Sequence, residues 1–155
     1  MGLRSTVQSQ LRSDPNGRVM ARAKRLPSII KKLVDSQTRL SIMADIAGCR
    51  VVLDGGLDDV YRLKERLATH HRSLMFNASD VYDYNTHPQP TGYRALHIHA
   101  TRDQHRVEIQ LRTRGQHSWA ELVERWDRDT GQDAKHGNAD EAALRSLSEL
   151  AAELG

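Results

Sequence analysis

Apolar residues recur along this chain with two different periods, and the order of these periods predicts a mixed fold. A spacing of three to four residues, typical of amphipathic helices, occurs at about residues 26–36, 57–70, 114–129 and 139–154. A two-residue period or a short apolar run, typical of strands, occurs at about residues 49–53, 81–84, 93–101 and 106–112. We therefore expect an α/β (α+β) fold in which helices flank a mixed β-sheet.

The tight turn at residues 103–104 predicts that the last two strands form an antiparallel hairpin. In the second strand Glu108, Gln110 and Arg112 share one face, and His97 lies on the first strand. The pairing register decides whether these polar faces coincide, because side chains alternate along a strand. An acid, an amide and a guanidinium on one face indicate a functional site. An exposed strand with ordinary polar side chains is the alternative.

Length and composition indicate one globular domain. The chain has 155 residues, of which 38% are hydrophobic and 28% charged, enough for a single core. We expect residues 1–18 to form a flexible or helical lead-in and residues 19–155 to form the domain, because residues 14–17 favour a turn. No apolar run approaches the roughly 20 residues that span a bilayer, and no signal peptide opens the chain. The single cysteine, Cys49, lies in an apolar strand, so we predict a core residue in a cytoplasmic protein.

The net charge of +3 is unevenly distributed along the chain. Residues 1–39 contain nine Lys or Arg against two Asp, which gives this segment +7 and leaves −4 for the rest. Such a basic segment can cradle phosphates or bind a nucleic-acid backbone. A solvated basic helix is the alternative interpretation.

Two carboxylates are candidate metal ligands. Asp45 precedes the buried strand at residues 49–53, and Glu108 lies on the polar face of the hairpin. If they are close in space, they supply the two carboxylates that hold magnesium on a nucleoside triphosphate. A helix cap or a turn is the alternative role for Asp45. The eight histidines show no zinc-ligand spacing, and the chain has no Walker loop, GxGxxG or GxSxG motif.

Tyr93 follows a loop at residues 87–92 that two prolines and a glycine keep irregular. An exposed tyrosine at this place is a stacking platform for a base. A half-buried strand tyrosine is the alternative.

Several motifs occur in a fixed order over residues 20–128. They are Arg22-x-Lys24 with Ser28 and Lys32, Asp45-Ile-Ala-Gly-Cys-Arg50, Asp83-Tyr84, Gly92-Tyr93-Arg-Ala-Leu-His97, Val107-Glu-Ile-Gln-Leu-Arg-Thr113 and Trp119-Ala-Glu121. Together they resemble the synthetase domain of the RelA/SpoT-type alarmone synthetases, in its small single-domain form.

The resemblance implies a nucleotidyltransferase-like synthetase domain with Mg²⁺ as cofactor. Its activity would transfer the β,γ-pyrophosphate of ATP to the 3′-hydroxyl of GDP or GTP, making the stringent-response alarmones (p)ppGpp. Carried onto this chain, Asp45 and Glu108 hold the magnesium, Glu108 also helps to deprotonate the hydroxyl, and Gln110 supports it on the catalytic strand. The implied ATP-binding residues are Arg22, Lys24, Ser28, Lys32 and Arg50. The implied acceptor-binding residues are Gln89, Thr91, Tyr93, His97 and Arg112.

The loop before Gly92 departs from the family pattern. Family members often carry Lys and Asn where this chain has Gln89 and Thr91. One cationic contact to the acceptor is therefore missing, which leaves acceptor identity open. Some relatives are toxins that modify the tRNA 3′ end or make adenosine alarmones, so tRNA is an alternative partner. Related small synthetases form tetramers, and the resemblance therefore also allows a homo-oligomer.

Overall fold

The computed structural model describes residues 2–13, 17–24, 26–35, 37, 39, 43, 46–70 and 74–154. Within these ranges the helices are α1 (Leu3–Ser9), α2 (Leu26–Asp35), α3 (Leu57–His70), α4 (Arg114–Thr130) and α5 (Glu141–Leu154). The strands are β1 (Arg18–Ala23), β2 (Ala47–Leu53), β3 (Val81–Asp83), β4 (Leu96–Arg102) and β5 (His105–Thr113). The expected α/β fold is confirmed, and the predicted helices and strands are present with small shifts of their ends.

The strands form one sheet in the order β1-β2-β5-β4-β3. The β2–β5 pair is parallel and the other three pairs are antiparallel, so the sheet is mixed, as expected. Strand β1 was not among the predicted strands, since residues 18–23 were interpreted only as part of the basic segment. Val19 is the single buried residue of this edge strand, and one buried position gives no clear two-residue period.

The main apolar core lies between one face of the sheet and the helices α1 and α3. Cys49 and Val51 of β2 face it together with alternate residues of β4 and β5. From the lead-in, Val7 and Leu11 are buried in the same core. The residues of α1 and the turn after it therefore contribute to the core, and the expected boundary between a lead-in and a domain at residue 18 stays a prediction.

The core position of Cys49 gives a testable consequence. The side chain is fully buried, and burial raises the pKa of its thiol to about 12. The thiol therefore stays protonated at pH 8, and only a thiolate reacts quickly with disulfide reagents. We expect Ellman's reagent to modify the native protein at least about a hundredfold more slowly than the urea-unfolded protein. The chain has one cysteine, so equal rates would directly contradict the buried assignment.

The hairpin of β4 and β5 turns at two residues with positive φ, Asp103 at 47° and Gln104 at 67°. Positive φ at both central residues is typical of the type I′ turn, whose twist matches that of the flanking strands. This two-residue turn pairs Arg102 with His105 and thereby sets the register of the whole hairpin.

Helices α4 and α5 pack on each other around a second, smaller apolar cluster. Trp119 of α4 donates its indole N–H to the carbonyl of Leu147 of α5, with 2.7 Å between the two atoms. Helix α4 begins with a capping box, in which Thr113 and Gln116 satisfy each other's backbone N–H groups. Among the described helices, none is long and apolar enough to cross a membrane.

Candidate active site

The polar face of β5 is buried rather than exposed. Glu108, Gln110 and Arg112 keep only 6%, 3% and 3% of their surface accessible. The hairpin register places His97 opposite Gln110 and His99 opposite Glu108, so the polar faces of β4 and β5 coincide. Buried polar side chains are costly unless they are hydrogen-bonded, and each of the three makes hydrogen bonds, although Nε and Nη1 of Arg112 have no partner among the described residues. The alternative of an exposed strand with ordinary polar side chains is therefore wrong.

Glu108 lies at the centre of a ring of hydrogen-bond donors. Its Oε2 accepts from the guanidinium of Arg22 at 2.9 Å and from the amide of Gln110 at 2.7 Å. Its Oε1 lies 3.1 Å from Nδ1 of His97 and 3.6 Å from Nε2 of His99. Donors from β1, β4 and β5 thus converge on one buried carboxylate.

The charge state of Glu108 follows from these contacts. Burial by itself raises the pKa of this carboxyl, but hydrogen bonds from His97 and His99 and the positive charge of Arg22 act more strongly. The net result is a pKa far below the ordinary value of a glutamate. Glu108 is therefore an anion at any physiological pH.

Gly48 makes the contact between Arg22 and Glu108 geometrically accessible. Arg22 of β1 pairs with Gly48 of β2, and Gly48 pairs with Glu108 of β5, so the three residues form one row across the sheet. A Cβ atom at position 48 would lie only 1.9 Å from the main-chain oxygen of Glu108. Glycine is therefore required by close approach of the two parallel strands.

Gln110 links Glu108 to two further cations. Its amide oxygen accepts from Nε of Arg50 at 3.4 Å and from Arg112 at 3.3 Å. Arg112 also donates to the hydroxyl of Tyr93 at 2.6 Å. The amide orients guanidinium groups from β2 and β5 toward the same side of the sheet, where they can neutralise phosphate charge.

The hydroxyl of Tyr93 and the ring of His97 continue this network back to Glu108. Burial lowers the pKa of His97 more than the nearby Glu108 raises it, so the ring is neutral at pH 7. Nδ1–H of His97 then donates to Glu108, and Nε2 accepts from the hydroxyl of Tyr93 at 2.7 Å. The hydrogen bonds that run from Arg112 through Tyr93 and His97 thus end at the carboxylate of Glu108.

The ring of Tyr93 is half-buried, so the expectation of an exposed tyrosine is wrong; the alternative is right about burial, although Tyr93 lies just before β4 and not within the strand. The ring packs against Trp119, with 6.3 Å between the ring centroids, and the guanidinium of Arg112 lies 5.0 Å from the centre of the Tyr93 ring. One side of this ring nevertheless lines a pocket. A partner for stacking would therefore enter a defined cleft and not an open surface.

Two of the expected site residues cannot be placed. Asp45 and the side chain of Ser28 lie outside the described residues. Lys24 follows β1 and Lys32 lies on α2, both with half-buried side chains. Of the expected ATP-binding residues, the structure brings Arg22 and Arg50 onto the same face of the sheet as Glu108.

The described residues fit one half of the expected magnesium site. Glu108 is an ionised oxygen donor, the type of ligand that Mg²⁺ prefers in proteins. Nowhere in the described part of the chain, Glu108 included, do three acidic, histidine or cysteine side chains converge as metal ligands. The second expected carboxylate is Asp45, which keeps its metal role as a prediction.

The loop that carries Gln89 and Thr91 is fixed by a turn and by α5. The N–H of Gly92 donates to the carbonyl of Gln89 at 2.8 Å, and Gly92 has a φ of 83°. A Cβ atom at Gly92 would lie 2.9 Å from both Ser148 and Ala151 of α5. Thr91 is buried, and its hydroxyl has no hydrogen-bond partner among the described residues. The loop therefore holds Thr91 and Tyr93 at one side of the polar face.

Residues of α4 and of the following segment also border the site, and sequence reasoning missed them. Trp119, Ala120, Val123, Glu124 and Lys135 line the pocket beside Tyr93. The helical period predicted the apolar face of α4, but it contained no signal that this face would meet the polar side of the sheet. Only the motif Trp119-Ala-Glu121 pointed to this helix.

Comparison with protein-family models identifies one matching family. The model described as "Region found in RelA / SpoT proteins" matches residues 21–132. The uncharacterized protein Rv1366 of Mycobacterium tuberculosis (strain H37Rv) is 36% identical over 109 residues, which is 68% of this chain and 38% of that protein. A GTP pyrophosphokinase of Escherichia coli (strain K12) is 31% identical over 105 residues, which is 67% of this chain and 14% of that enzyme. This chain thus spans well under two thirds of these relatives.

Solved structures show the same fold. The small alarmone synthetase 2 from Bacillus subtilis superimposes with a TM-score of 0.78 at 25% identity, covering 96% of this chain and 81% of that one. The small alarmone synthetase 1 from the same organism, bound to its product pppGpp, gives a TM-score of 0.76 at 23% identity over 99% of this chain and 79% of that one.

Proposed function

This chain belongs to the RelA/SpoT family, and on that premise we propose that it is a Mg²⁺-dependent pyrophosphokinase. It transfers the β,γ-pyrophosphate of ATP to the 3′-hydroxyl of GDP or GTP and makes (p)ppGpp. The observation that carries the proposal is the buried, ionised Glu108 among hydrogen-bond donors, which His97 connects to Tyr93 and so to the pocket that Tyr93 lines. Since the substrates are nucleotides of the cytoplasm, we place the activity there.

In this proposal Glu108 supplies a fixed negative charge, which its hydrogen-bond donors keep ionised. With Asp45 it would hold Mg²⁺, which neutralises charge on the transferred phosphates when it is bound. Phosphoryl-type transfer needs chiefly positioning and charge neutralisation, and this chain supplies both.

The donor nucleotide is assigned to the side of β1 and β2. Arg22 and Arg50 present flat guanidinium groups there, which can stack on adenine or pair with phosphate. Lys24 and Lys32 belong to the same basic segment and would neutralise the triphosphate. Arg22 donates to Oε2 of Glu108, an oxygen that also accepts from Gln110, so pairing of Arg22 with ATP would remove one of two donors from this oxygen.

The acceptor nucleotide is assigned to the side of β4 and the loop. Tyr93 and Arg112 line the pocket, with His97 between them and Glu108. Thr91 and Gln89 belong to the loop that borders this side. The acceptor ribose would thus lie between the base pocket and the catalytic carboxylate.

A transfer assay tests the proposal. The protein is incubated with γ-labelled ATP and with GDP, GTP, ADP, AMP or deacylated tRNA, in the presence and absence of Mg²⁺. Label on GDP or GTP that requires Mg²⁺ supports the proposal. Label only on tRNA or on an adenosine nucleotide would assign the chain to the toxin type of activity, and no transfer at all would reduce it to a nucleotide-binding module.

Substitution of Tyr93 separates the two roles of this residue. Tyr93→Ala removes the ring, and we expect the KM for GDP to rise about tenfold to a hundredfold, because one base–aromatic contact contributes about 1–3 kcal/mol. The KM for ATP should change less than threefold. Tyr93→Phe keeps the ring but removes the bonds to Arg112 and His97, so kcat should fall while the KM for GDP stays near that of wild type. Equal KM increases for both substrates would refute the assignment to the acceptor side.

A further inference from the structure

A pocket lies between α4, the loop before Tyr93 and the short turn Ala134–His136. The free space inside it is about 20 Å³, enough for about one water molecule, and the pocket is partly open to solvent. A ligand ring would therefore reach it with one edge, from the open side. The lining residues are Thr91, Tyr93, Arg112, Trp119, Ala120, Val123, Glu124 and Lys135.

The lining combines flat apolar surface with one ion pair. The rings of Tyr93 and Trp119 and the side chains of Ala120 and Val123 form its apolar part. The ammonium of Lys135 donates to Oε1 of Glu124 at 2.7 Å. Oε2 of Glu124 has no hydrogen-bond partner within the described ranges. An aromatic ring with a polar edge is the ligand that such a pocket complements.

We propose that Glu124 and Lys135 contact the base edge of the acceptor nucleotide and select guanine over adenine. This inference rests on the proposed function and names residues that determine acceptor specificity. Ala120 and Glu124 are four residues apart on α4 and therefore lie on the same face of the helix. The carboxylate of Glu124 thus projects beside the apolar wall that Ala120 contributes.

The chemistry of the two purines distinguishes them at this ion pair. The edge of guanine carries two adjacent N–H donors, at N1 and at the 2-amino group, next to the acceptor O6. A carboxylate can accept both N–H groups while an ammonium donates to O6. Adenine offers a lone pair at N1, which a carboxylate repels, and an amino group where Lys135 would need an acceptor.

The environment of Glu124 suits this role. Burial by itself raises the pKa of the carboxyl, yet the hydrogen bond and charge of Lys135 and the nearby Arg50 and Arg112 bring it below the ordinary value. Glu124 is therefore ionised at pH 7. Both side chains of the pair remain partly exposed, at 37% for Glu124 and 43% for Lys135. A pair exposed to this extent contributes little to folding, so Glu124 can be changed without loss of the fold.

Equilibrium binding of GDP, IDP and ADP, each measured with the donor site filled by a saturating non-hydrolysable ATP analogue, tests the proposal, because IDP lacks only the 2-amino group of guanine. We expect wild type to bind GDP about tenfold more tightly than IDP, and ADP more weakly than either. Glu124→Gln should lose about tenfold to a hundredfold in affinity for GDP, and the difference between GDP and IDP should largely disappear. ADP binding by this variant should stay within threefold of wild type. Glu149→Gln, a matched change at an exposed residue of α5 outside the pocket, should leave all three affinities unchanged.

Any of three outcomes would overturn the proposal. The first is a Glu124→Gln variant that keeps the wild-type ratio of GDP to ADP affinity. The other two are wild-type protein that binds GDP and IDP equally, and wild-type protein that binds GDP no more tightly than ADP. The transfer assay, run on the same preparations, separates this from the proposed function. If Glu124→Gln transfers pyrophosphate to GDP and keeps the wild-type preference for GDP over ADP, only the role of Glu124 is refuted. Binding of GDP that depends on Glu124 without any transfer would refute only the pyrophosphokinase activity.

Discussion

Replacing Glu108 by glutamine is expected to reduce pyrophosphate transfer by about a hundredfold to a thousandfold or more, the range found when a preorganised charged or polar group is lost from an active site. Glutamine has the same shape but no charge, so a proposed metal ligand is lost. Its amide NH₂ must also face either Arg22 and Gln110 or His97 and His99, all of which are placed as donors. We expect this mismatch to lower the free energy of unfolding by about 1–3 kcal/mol.

The measurement combines initial rates of transfer with urea denaturation of the same variant. Glu149→Gln serves as the control, because Glu149 is exposed on α5 and should change neither quantity. A Glu108→Gln protein that is folded and keeps more than a tenth of the wild-type rate would show that Glu108 is not the central carboxylate.

Replacing Gly48 by alanine should impair both stability and activity. The added Cβ would lie 1.9 Å from the main-chain oxygen and 2.9 Å from the carbonyl carbon of Glu108, and main-chain atoms in the middle of a sheet cannot rotate away. The parallel strands β2 and β5 must therefore separate locally. We expect a loss of at least about 1–3 kcal/mol in the free energy of unfolding, as for an overpacked core. The contact between Arg22 and Glu108 passes over Gly48, so transfer should also fall at least about tenfold.

Gly56→Ala is the matched control for this variant. A Cβ atom at Gly56 would meet no atom within 4 Å. Because Gly56 accepts the first backbone hydrogen bonds of α3, a cost of up to about 1 kcal/mol is expected from the changed cap. If Gly48→Ala were as stable as Gly56→Ala and transferred pyrophosphate at the same rate, this result would contradict the close approach of β2 and β5.

The sequence predicted the individual elements well where many side chains repeat one period. Helix α3 has the predicted bounds, because its apolar residues recur over four turns. Strand β1 was missed for the opposite reason, since Val19 alone is buried in it. An edge strand is defined by its hydrogen bonds to a neighbour, and the distant β2 that supplies them is not visible in the local pattern.

At the candidate active site, too, the sequence predicted local features but not contacts between distant residues. Alternation along β5 placed Glu108, Gln110 and Arg112 on one face, and the motifs identified the family. The local pattern could not reveal that this face is buried, because burial depends on elements that pack over it from elsewhere in the chain. The same limitation explains the error at Tyr93, which a loop motif suggested to be exposed and which Trp119 and Arg112 cover.

The sequence by itself determined the α/β class, most of the helices and strands, the polar face of β5 and the membership of the RelA/SpoT family. These depend on period and on motif, which are properties of residues close together along the chain. Only the tertiary structure decided that Arg22 contacts Glu108, that His97 connects this carboxylate to Tyr93 and Arg112, and that Glu124 and Lys135 line the pocket beside Tyr93. These contacts join residues from different strands and helices, and their distances follow from sheet order, register and helix packing, which no local pattern contains.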